Sequence, residues 1–250
     1  MWHDIDTSLI YTMLNDGVPI QPHEKLDKIF PHLEEVGSDY IANSAAVKGS
    51  NHHRLIKTHL PYDMTPMSSD AKYIYVARNP KDCVVSFFHH TRGFPTHYNF
   101  GNGDFDVYHD LFLEGKVDFG DYFKTLRSWL DRKNDANVLF ITYESIHADK
   151  GKVLMEIAKF IGGGMEEKLI ENDGALIGKV LLHSSLEEMK KDALRWCSER
   201  KVEHTPFIRS GKVGGYTEIL TKEQGEKLDD VMRCRFSQEE LNFLGLQYYS

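Results

Sequence analysis

The stretch around Arg78 carries the residues best suited to bind an anion. Tyr73–Ala77 is a short run of β-branched and aromatic residues, which predicts a buried strand with Arg78 at its carboxyl end. Asn79 is a favourable N-cap and Pro80 suits the first helical turn, so the pattern predicts a helix over residues 80–90. An arginine between a strand and a helix start is typical of anion sites in α/β sheets. The alternative is an ordinary strand-to-helix junction with a surface arginine.

Two side chains of the predicted helix add to this expected anion site. Asp82 suits the positive end of the helix dipole. Ser86 follows one helical turn later, where its hydroxyl can approach the same anion.

A second candidate for chemistry is the pair Lys57 and His59. Residues 54–58 predict a strand, and the alternation of side chains puts Lys57 and His59 on the same side of it. An imidazole changes charge near neutral pH, so His59 suits proton transfer. Most of the 13 histidines are expected to be structural.

The whole chain must supply the elements that position these residues. Its 250 residues, 41% hydrophobic and 27% charged, are typical of one globular domain. The net charge of −8 argues against a nucleic-acid-binding surface. Cys83, Cys197 and Cys234 form neither a disulfide framework nor a metal spacing, which favours a reducing compartment. The sequence shows no membrane-spanning apolar run and no signal-peptide pattern.

Apolar periodicity predicts the remaining elements. Helices are expected over residues 1–15, 105–113, 119–130, 151–161, 221–232 and 237–244, a strand over 137–142, and a loop over 91–104. The loop holds three aromatic residues, Phe94, Tyr98 and Phe100. They either line an apolar acceptor pocket or simply pack the loop, and the sequence leaves both interpretations open.

Three motifs, in order along the chain, resemble those of the cytosolic sulfotransferases. VARNPKDCVVSFFHH (76–90) resembles their 3′-phosphate-binding segment, RLIKTHLP (54–61) their catalytic strand, and FIRSGKVGGY (207–216) their late Arg-Lys-Gly loop. The resemblance implies an α/β fold, the P-loop-NTPase-like sulfotransferase fold, in which helices cover both faces of a parallel sheet. We expect a single sulfotransferase domain over residues 1–250.

The resemblance also implies roles for individual residues. His59, in its Lys-Thr-His-Leu-Pro context, would be the catalytic base and Lys57 would assist it. Arg78, Ser86 and Arg209 would bind the 3′-phosphate of the nucleotide. The other residues implied to bind nucleotide are Tyr143, which would touch the adenine, Ser184, Ser210, Gly211 and Trp2.

The chain departs from the family pattern at several positions. Ser210 stands where a lysine is usual, and Leu186 replaces a phenylalanine that would stack on the nucleotide. Thr217 and Lys222 replace two residues of the family's dimer motif. The sequence leaves open a weak homodimer, although the family's dimer motif is degraded.

The N-terminus differs from the family most. Members place a strand and a Pro-Lys-Ser-Gly-Thr-Thr-Trp loop, which holds the 5′-phosphosulfate, before a helix like the one predicted at the start of this chain. Here the chain begins where that loop should be ending, and Trp2 matches the closing tryptophan. We therefore expect the first strand and half of the donor site to be missing, and sulfuryl transfer by this sequence to be slow or absent.

The function implied by the resemblance is sulfuryl transfer from 3′-phosphoadenosine 5′-phosphosulfate to a small phenol, alcohol or amine. No metal, nucleic acid or membrane partner is expected, and the implied location is the cytoplasm. Two alternatives stay open: a nucleotide-binding pseudoenzyme and an incomplete gene product. A kinase-like phosphoryl transferase is disfavoured, because a P-loop and an acidic magnesium-binding set are both wanting.

Overall fold

The chain forms two compact units in the computed structural model, which describes residues 3–21, 24, 26–43, 53–191 and 208–246. The first unit comprises Leu60–Ala148 and Ser210–Ser250, and the second comprises Trp2–His59 and Asp149–Arg209. The expectation of one domain over residues 1–250 stays a prediction. None of the helices within the described ranges is long and apolar enough to cross a membrane.

Helices dominate the described residues. In chain order they are α1 (His3–Leu14), α2 (Leu26–Ile29), α3 (Leu33–Asn43), α4 (Pro80–Arg92), α5 (Pro95–Tyr98), α6 (Phe105–Leu113), α7 (Tyr122–Leu130), α8 (Tyr143–Ala148), α9 (Lys150–Ile161), α10 (Met165–His183), α11 (Leu186–Lys190), α12 (Lys222–Arg235) and α13 (Gln238–Phe243). Single 3₁₀ turns lie at Tyr62–Met64 and Gly215–Glu218. The strands are β1 (Tyr73–Ala77) and β2 (Val138–Thr142).

Strands β1 and β2 form the centre of the first unit. They pair in parallel, with Tyr73 opposite Val138 and Ala77 opposite Thr142. The carboxyl half of β1 is buried, and the Tyr75 ring stacks on Trp129 of α7 with centroids 5.3 Å apart. The strands predicted over residues 73–77 and 137–142 and their parallel arrangement are confirmed, and their carboxyl ends lie at one edge of the sheet.

Helix α4 follows β1 after two residues. The Asn79 side chain accepts a hydrogen bond from the Lys81 N–H at 2.9 Å, which confirms the predicted N-cap. The apolar face of α4 buries Val84, Phe87 and Phe88. The helix continues two residues beyond the predicted end, and α5 lies within 91–104, so the prediction of a loop over that whole range was wrong.

Helix α7 begins later than the predicted residue 119. Phe119 and Gly120 have φ values of 64° and 76°, which are left-handed and end any helical run. Asp121 instead caps the helix by accepting hydrogen bonds from the Phe123 and Lys124 N–H groups. The helix then buries Phe123 and Leu126 in the core of the first unit.

The second unit packs α10 against α1 and α9. Leu9, Leu154 and Leu169, one from each helix, are fully buried. Gly17 lies just beyond α1: its φ is 81°, and an added Cβ would lie 2.9 Å from Lys179 Cδ. Helix α10 was not predicted, and its residues 171–174 depart from helical angles.

The predicted strand over residues 54–58 was wrong. Among the described residues, this segment pairs through one parallel bridge, between Lys57 and His32. Lys57 N–H donates to the Pro31 carbonyl, and Leu33 N–H donates to the Lys57 carbonyl. The ladder stops there because Pro31 has no N–H to donate and Leu33 already begins α3.

Candidate functional site

Arg78 lies at the carboxyl end of β1, as predicted, and is only 8% exposed. Its guanidinium carbon lies 4.3 Å from the centroid of the Tyr143 ring, and Nη2 donates to the Lys212 carbonyl at 3.3 Å. Its Nε is buried and has no hydrogen-bond partner among the described residues. A guanidinium offers five N–H donors, so this cation keeps hydrogen-bonding capacity.

Hydrogen bonds to the backbone hold the Arg78 junction in place. The Tyr122 hydroxyl donates to the Arg78 carbonyl. Burial raises the pKa of Tyr122 well above its ordinary value, so this hydroxyl keeps its proton at neutral pH. Asn79 N–H donates to Glu144 Oε1 at 2.9 Å. Burial raises the pKa of the Glu144 carboxyl, and the Asn79 N–H acts in the opposite direction.

Asp82 connects helix α4 to the loop after residue 208. Its carboxylate is 3% exposed and accepts the Gly214 N–H at 2.7 Å and the Tyr216 N–H at 3.0 Å. The sequence assigned Asp82 only to the helix dipole. Its contacts span more than 130 residues, so no local spacing could have revealed them.

The loop held by Asp82 carries two of the predicted nucleotide-binding residues. Ser210 and Gly211 are half-buried, and the Lys212 carbonyl that follows them contacts Arg78. Gly211 has φ 61°, a left-handed conformation that a side chain would strain. The structure therefore brings this loop to the carboxyl end of β1.

Ser86 and Tyr143 belong to the same unit. Ser86 is half-buried and lies four residues after Asp82, on the same side of α4. Tyr143 begins α8 and is 3% exposed, and its ring contacts both Arg78 and His147. The contact of Tyr143 with adenine stays a prediction.

The three aromatic side chains of the 91–104 segment contact other residues of the first unit. Phe94 lies 4.7 Å from His90, and Phe100 lies 5.7 Å from Tyr108, measured between ring centroids. The Tyr98 hydroxyl donates to Asp118 at 2.6 Å. These contacts favour the interpretation in which the rings pack the loop.

Lys57 and His59 lie in the second unit. Lys57 is 9% exposed, and the His59 side chain is 15% exposed. The Glu34 carboxylate accepts the His59 backbone N–H at 2.5 Å and the Thr58 hydroxyl at 3.1 Å. The same oxygen lies 3.6 Å from His59 Nδ1. The carboxylate thus holds the segment that carries His59.

His32 completes this second cluster. Its ring stacks on His59 with centroids 5.2 Å apart. Burial, followed by the charge of Lys57, lowers the pKa of His32 to about 2, so its imidazole is neutral at physiological pH. Sequence reasoning missed His32 and Glu34, although a His-x-Glu spacing just after a proline was available as a signal.

Three further residues were predicted to bind nucleotide, namely Ser184, Arg209 and Trp2. Ser184 is fully buried; its hydroxyl donates to the Val180 carbonyl at 2.7 Å, and its own carbonyl accepts from Lys150 Nζ. Arg209 is half-buried in the second unit. Trp2 lies outside the described residues. Their contacts with nucleotide stay predictions.

Comparison with known proteins gives consistent matches. A family model described as "Sulfotransferase domain" matches residues 13–242. Sulfotransferase 1C2 of Rattus norvegicus is 29% identical over 198 residues, which is 76% of this chain and 64% of that protein. Sulfotransferase 1B1 of Mus musculus is 29% identical over 247 residues, 95% of this chain and 80% of that protein. The match to 1C2 thus spans less than two thirds of that relative.

Solved structures share the fold. A retinol dehydratase in complex with androsterone and the inactive cofactor PAP has a TM-score of 0.77 at 19% identity, covering 98% of this chain and 79% of that one. Mouse sulfotransferase SULT7A1 complexed with PAP has a TM-score of 0.70 at 25% identity, and the match covers 95% of this chain and 92% of that one. These neighbours confirm the predicted α/β fold class. Because the family model spans most of the residues, the chain belongs to the sulfotransferase family.

Proposed function

We propose that this chain binds 3′-phosphoadenosine 5′-phosphosulfate and transfers its sulfuryl group to a hydroxyl or amine of a small acceptor. The observation that carries the proposal is the buried Arg78 guanidinium, whose Nε has no hydrogen-bond partner among the described residues. A buried cationic donor is costly unless an acceptor completes its contacts. A phosphate oxygen is a suitable acceptor, and the related mouse SULT7A1 was solved with PAP.

In this proposal the 3′-phosphate lies beside Arg78. The guanidinium binds two phosphate oxygens, and the amino end of α4 adds the favourable field of its dipole. Ser86 and Ser210 supply hydroxyls, and Gly211 lets the backbone approach the phosphate closely. Arg209 supplies a second positive charge.

The proposed chemistry assigns the base to His59. As the acceptor oxygen attacks sulfur, His59 takes the acceptor's proton. The new oxygen–sulfur bond forms while the bond from sulfur to the bridging oxygen of the 5′-phosphate breaks, and adenosine 3′,5′-bisphosphate leaves. Lys57 assists with its positive charge. Such a transfer depends mainly on alignment and charge stabilisation.

Calorimetry with adenosine 3′,5′-bisphosphate tests the phosphate site. Each charge-assisted contact to a buried anion contributes roughly 1.5–3 kcal/mol. Arg78→Ala and Arg209→Ala should therefore each weaken binding by at least about tenfold. Arg78→Lys keeps the positive charge but loses the planar guanidinium. Its affinity should lie between those of the parent chain and of Arg78→Ala. Exposed Arg132→Ala is the matched control. Unchanged affinity in both alanine variants, with unaltered melting temperatures, would refute the assignment.

A radiolabelled-sulfate assay with phenolic and amine acceptors tests the transfer step. Incorporation of label into an acceptor supports a transferase. Tight nucleotide binding without incorporation would instead support the nucleotide-binding alternative, and the calorimetric result decides the phosphate site in either case.

A further inference from the structure

The cluster formed by His32, Glu34 and His59 offers a set of metal-ligating atoms. One ligand atom from each side chain lies within 4.8 Å of the other two. His59 Nδ1 and Glu34 Oε1 are 3.6 Å apart. Ligands of tetrahedral zinc, at bond lengths of about 2.0–2.1 Å, lie roughly 3.3 Å from one another. Small rotations of these side chains would therefore close the set around one ion.

We propose that His32, Glu34 and His59 form a binding site for a divalent transition-metal ion such as Zn²⁺. Two imidazoles and a carboxylate are ligands that zinc accepts, and three protein ligands leave a coordination position open to water. The ion binds within the second unit and needs no residue of the first.

The backbone around the cluster is held in place before any ion binds. The bridge between His32 and Lys57 fixes the two segments that carry the ligands. Glu34 is tied to the second segment by the Thr58 hydroxyl and the His59 N–H. Both bonds fall on Oε1. Such outer hydrogen bonds orient metal ligands and strengthen their binding.

Access from solvent favours binding of an ion. The side chains of His59 and Glu34 are 15% and 22% exposed, which gives the ion a path from solvent. The charge of Lys57, felt at His32, opposes a cation and sets a limit on the affinity.

Metal binding has a consequence that rests on the proposed function. An imidazole that ligates an ion cannot also accept the acceptor's proton through the same lone pair. Zn²⁺ should therefore inhibit sulfuryl transfer while leaving the affinity for adenosine 3′,5′-bisphosphate unchanged.

Calorimetric titration of the full chain with zinc chloride, in a buffer without chelators, tests the site directly. We expect one tight site per chain. We expect zinc affinity to fall at least about tenfold in each of three variants: His32→Ala, Glu34→Gln and His59→Ala. Substitution of residues that only hydrogen-bond to metal ligands already lowers metal affinity by that factor. His97→Ala, which removes an exposed imidazole, is the control. Lys57→Met should tighten binding, because it removes the opposing charge.

Titration with Co²⁺ gives a second readout, since its visible spectrum reports the ligand field of a site that excludes most water. The spectrum should be lost in the three cluster variants and kept in His97→Ala. Equal zinc affinity in all variants, or no binding by the parent chain, would overturn the proposal. Melting curves and nucleotide affinity establish that the variants fold. Because none of these measurements needs turnover, failure of the metal site and failure of the transferase proposal are separate results.

Discussion

Arg78 lies where a strand meets a capped helix, whereas the segment of His59 pairs, among the described residues, through one bridge at Lys57. The Arg78 junction is set by two regular elements, a strand that pairs with β2 and a helix with a local N-cap. The His59 segment is held by side chains, above all by the Glu34 carboxylate. The two candidate sites thus differ in how much of their geometry comes from local structure.

This difference has a consequence for substitutions. A strand and a 13-residue helix keep their shape when one contact is lost, so changes near Arg78 should act mainly on ligand binding. Between described residues, the His59 segment is held by the bridge at Lys57 and by the bonds to Glu34, so loss of the Glu34 bonds should alter its geometry.

The largest expected effect separates the two regions by function. His59→Ala should lower kcat for sulfuryl transfer by about a hundredfold or more, because it removes the proposed base. Nucleotide affinity should stay within error, because the proposed phosphate contacts lie elsewhere. Turnover and calorimetry on the same preparation, with His97→Ala as control, give both numbers. Full turnover by His59→Ala would leave His59 with a structural role only.

A smaller effect is expected at the Arg78 region, from a residue that does not touch the nucleotide. Asp82→Ala removes the acceptor for the Gly214 and Tyr216 N–H groups and should release the loop. We expect binding of adenosine 3′,5′-bisphosphate to weaken about tenfold, the cost of one charged hydrogen bond. Hydrogen exchange at these two amides should accelerate while β1 stays protected. Asp110→Ala, at an exposed carboxylate, is the control. Unchanged exchange would show that other contacts hold the loop.

The last expected effect is on stability and not on ligand binding, and it concerns the pH dependence of folding in the His59 region. The pKa of His32 is lowered to about 2 in the folded chain, against about 6.5 when unfolded. Between these values the unfolded state binds more protons, so stability falls as the pH drops below about 6.5. For this one group, the free energy of unfolding falls by at most about 1.4 kcal/mol per pH unit. Urea unfolding at pH 7 and pH 5 should show a smaller loss for His32→Asn than for the parent chain. A parallel loss in both would place the acid sensitivity elsewhere.

Local sequence was enough for much of the first unit. The run of β-branched and aromatic residues over Tyr73–Ala77 predicted β1 with its observed bounds, and Asn79 with Pro80 predicted the start of α4. Both signals act over a few residues, where side-chain shape and capping decide the backbone. The predicted start of α7 failed because the left-handed conformation of Phe119 is not encoded by hydrophobic periodicity.

The second unit was less predictable. Helix α10 is interrupted by left-handed residues at 172–174, which break its periodicity. The strand predicted at 54–58 failed because a strand needs a partner, and Pro31 limits the partner to one bridge.

By itself, the sequence determined the strand-to-helix junction, the position of Arg78 and the family resemblance, because these depend on residues that are neighbours along the chain. Only the tertiary structure decided that Asp82 holds the loop at Gly214, that Lys212 offers its carbonyl to Arg78, and that Glu34 and His32 surround His59. Such contacts join residues that lie 25 to 134 positions apart. They depend on how the packed core brings these segments together, which no local pattern of side chains specifies.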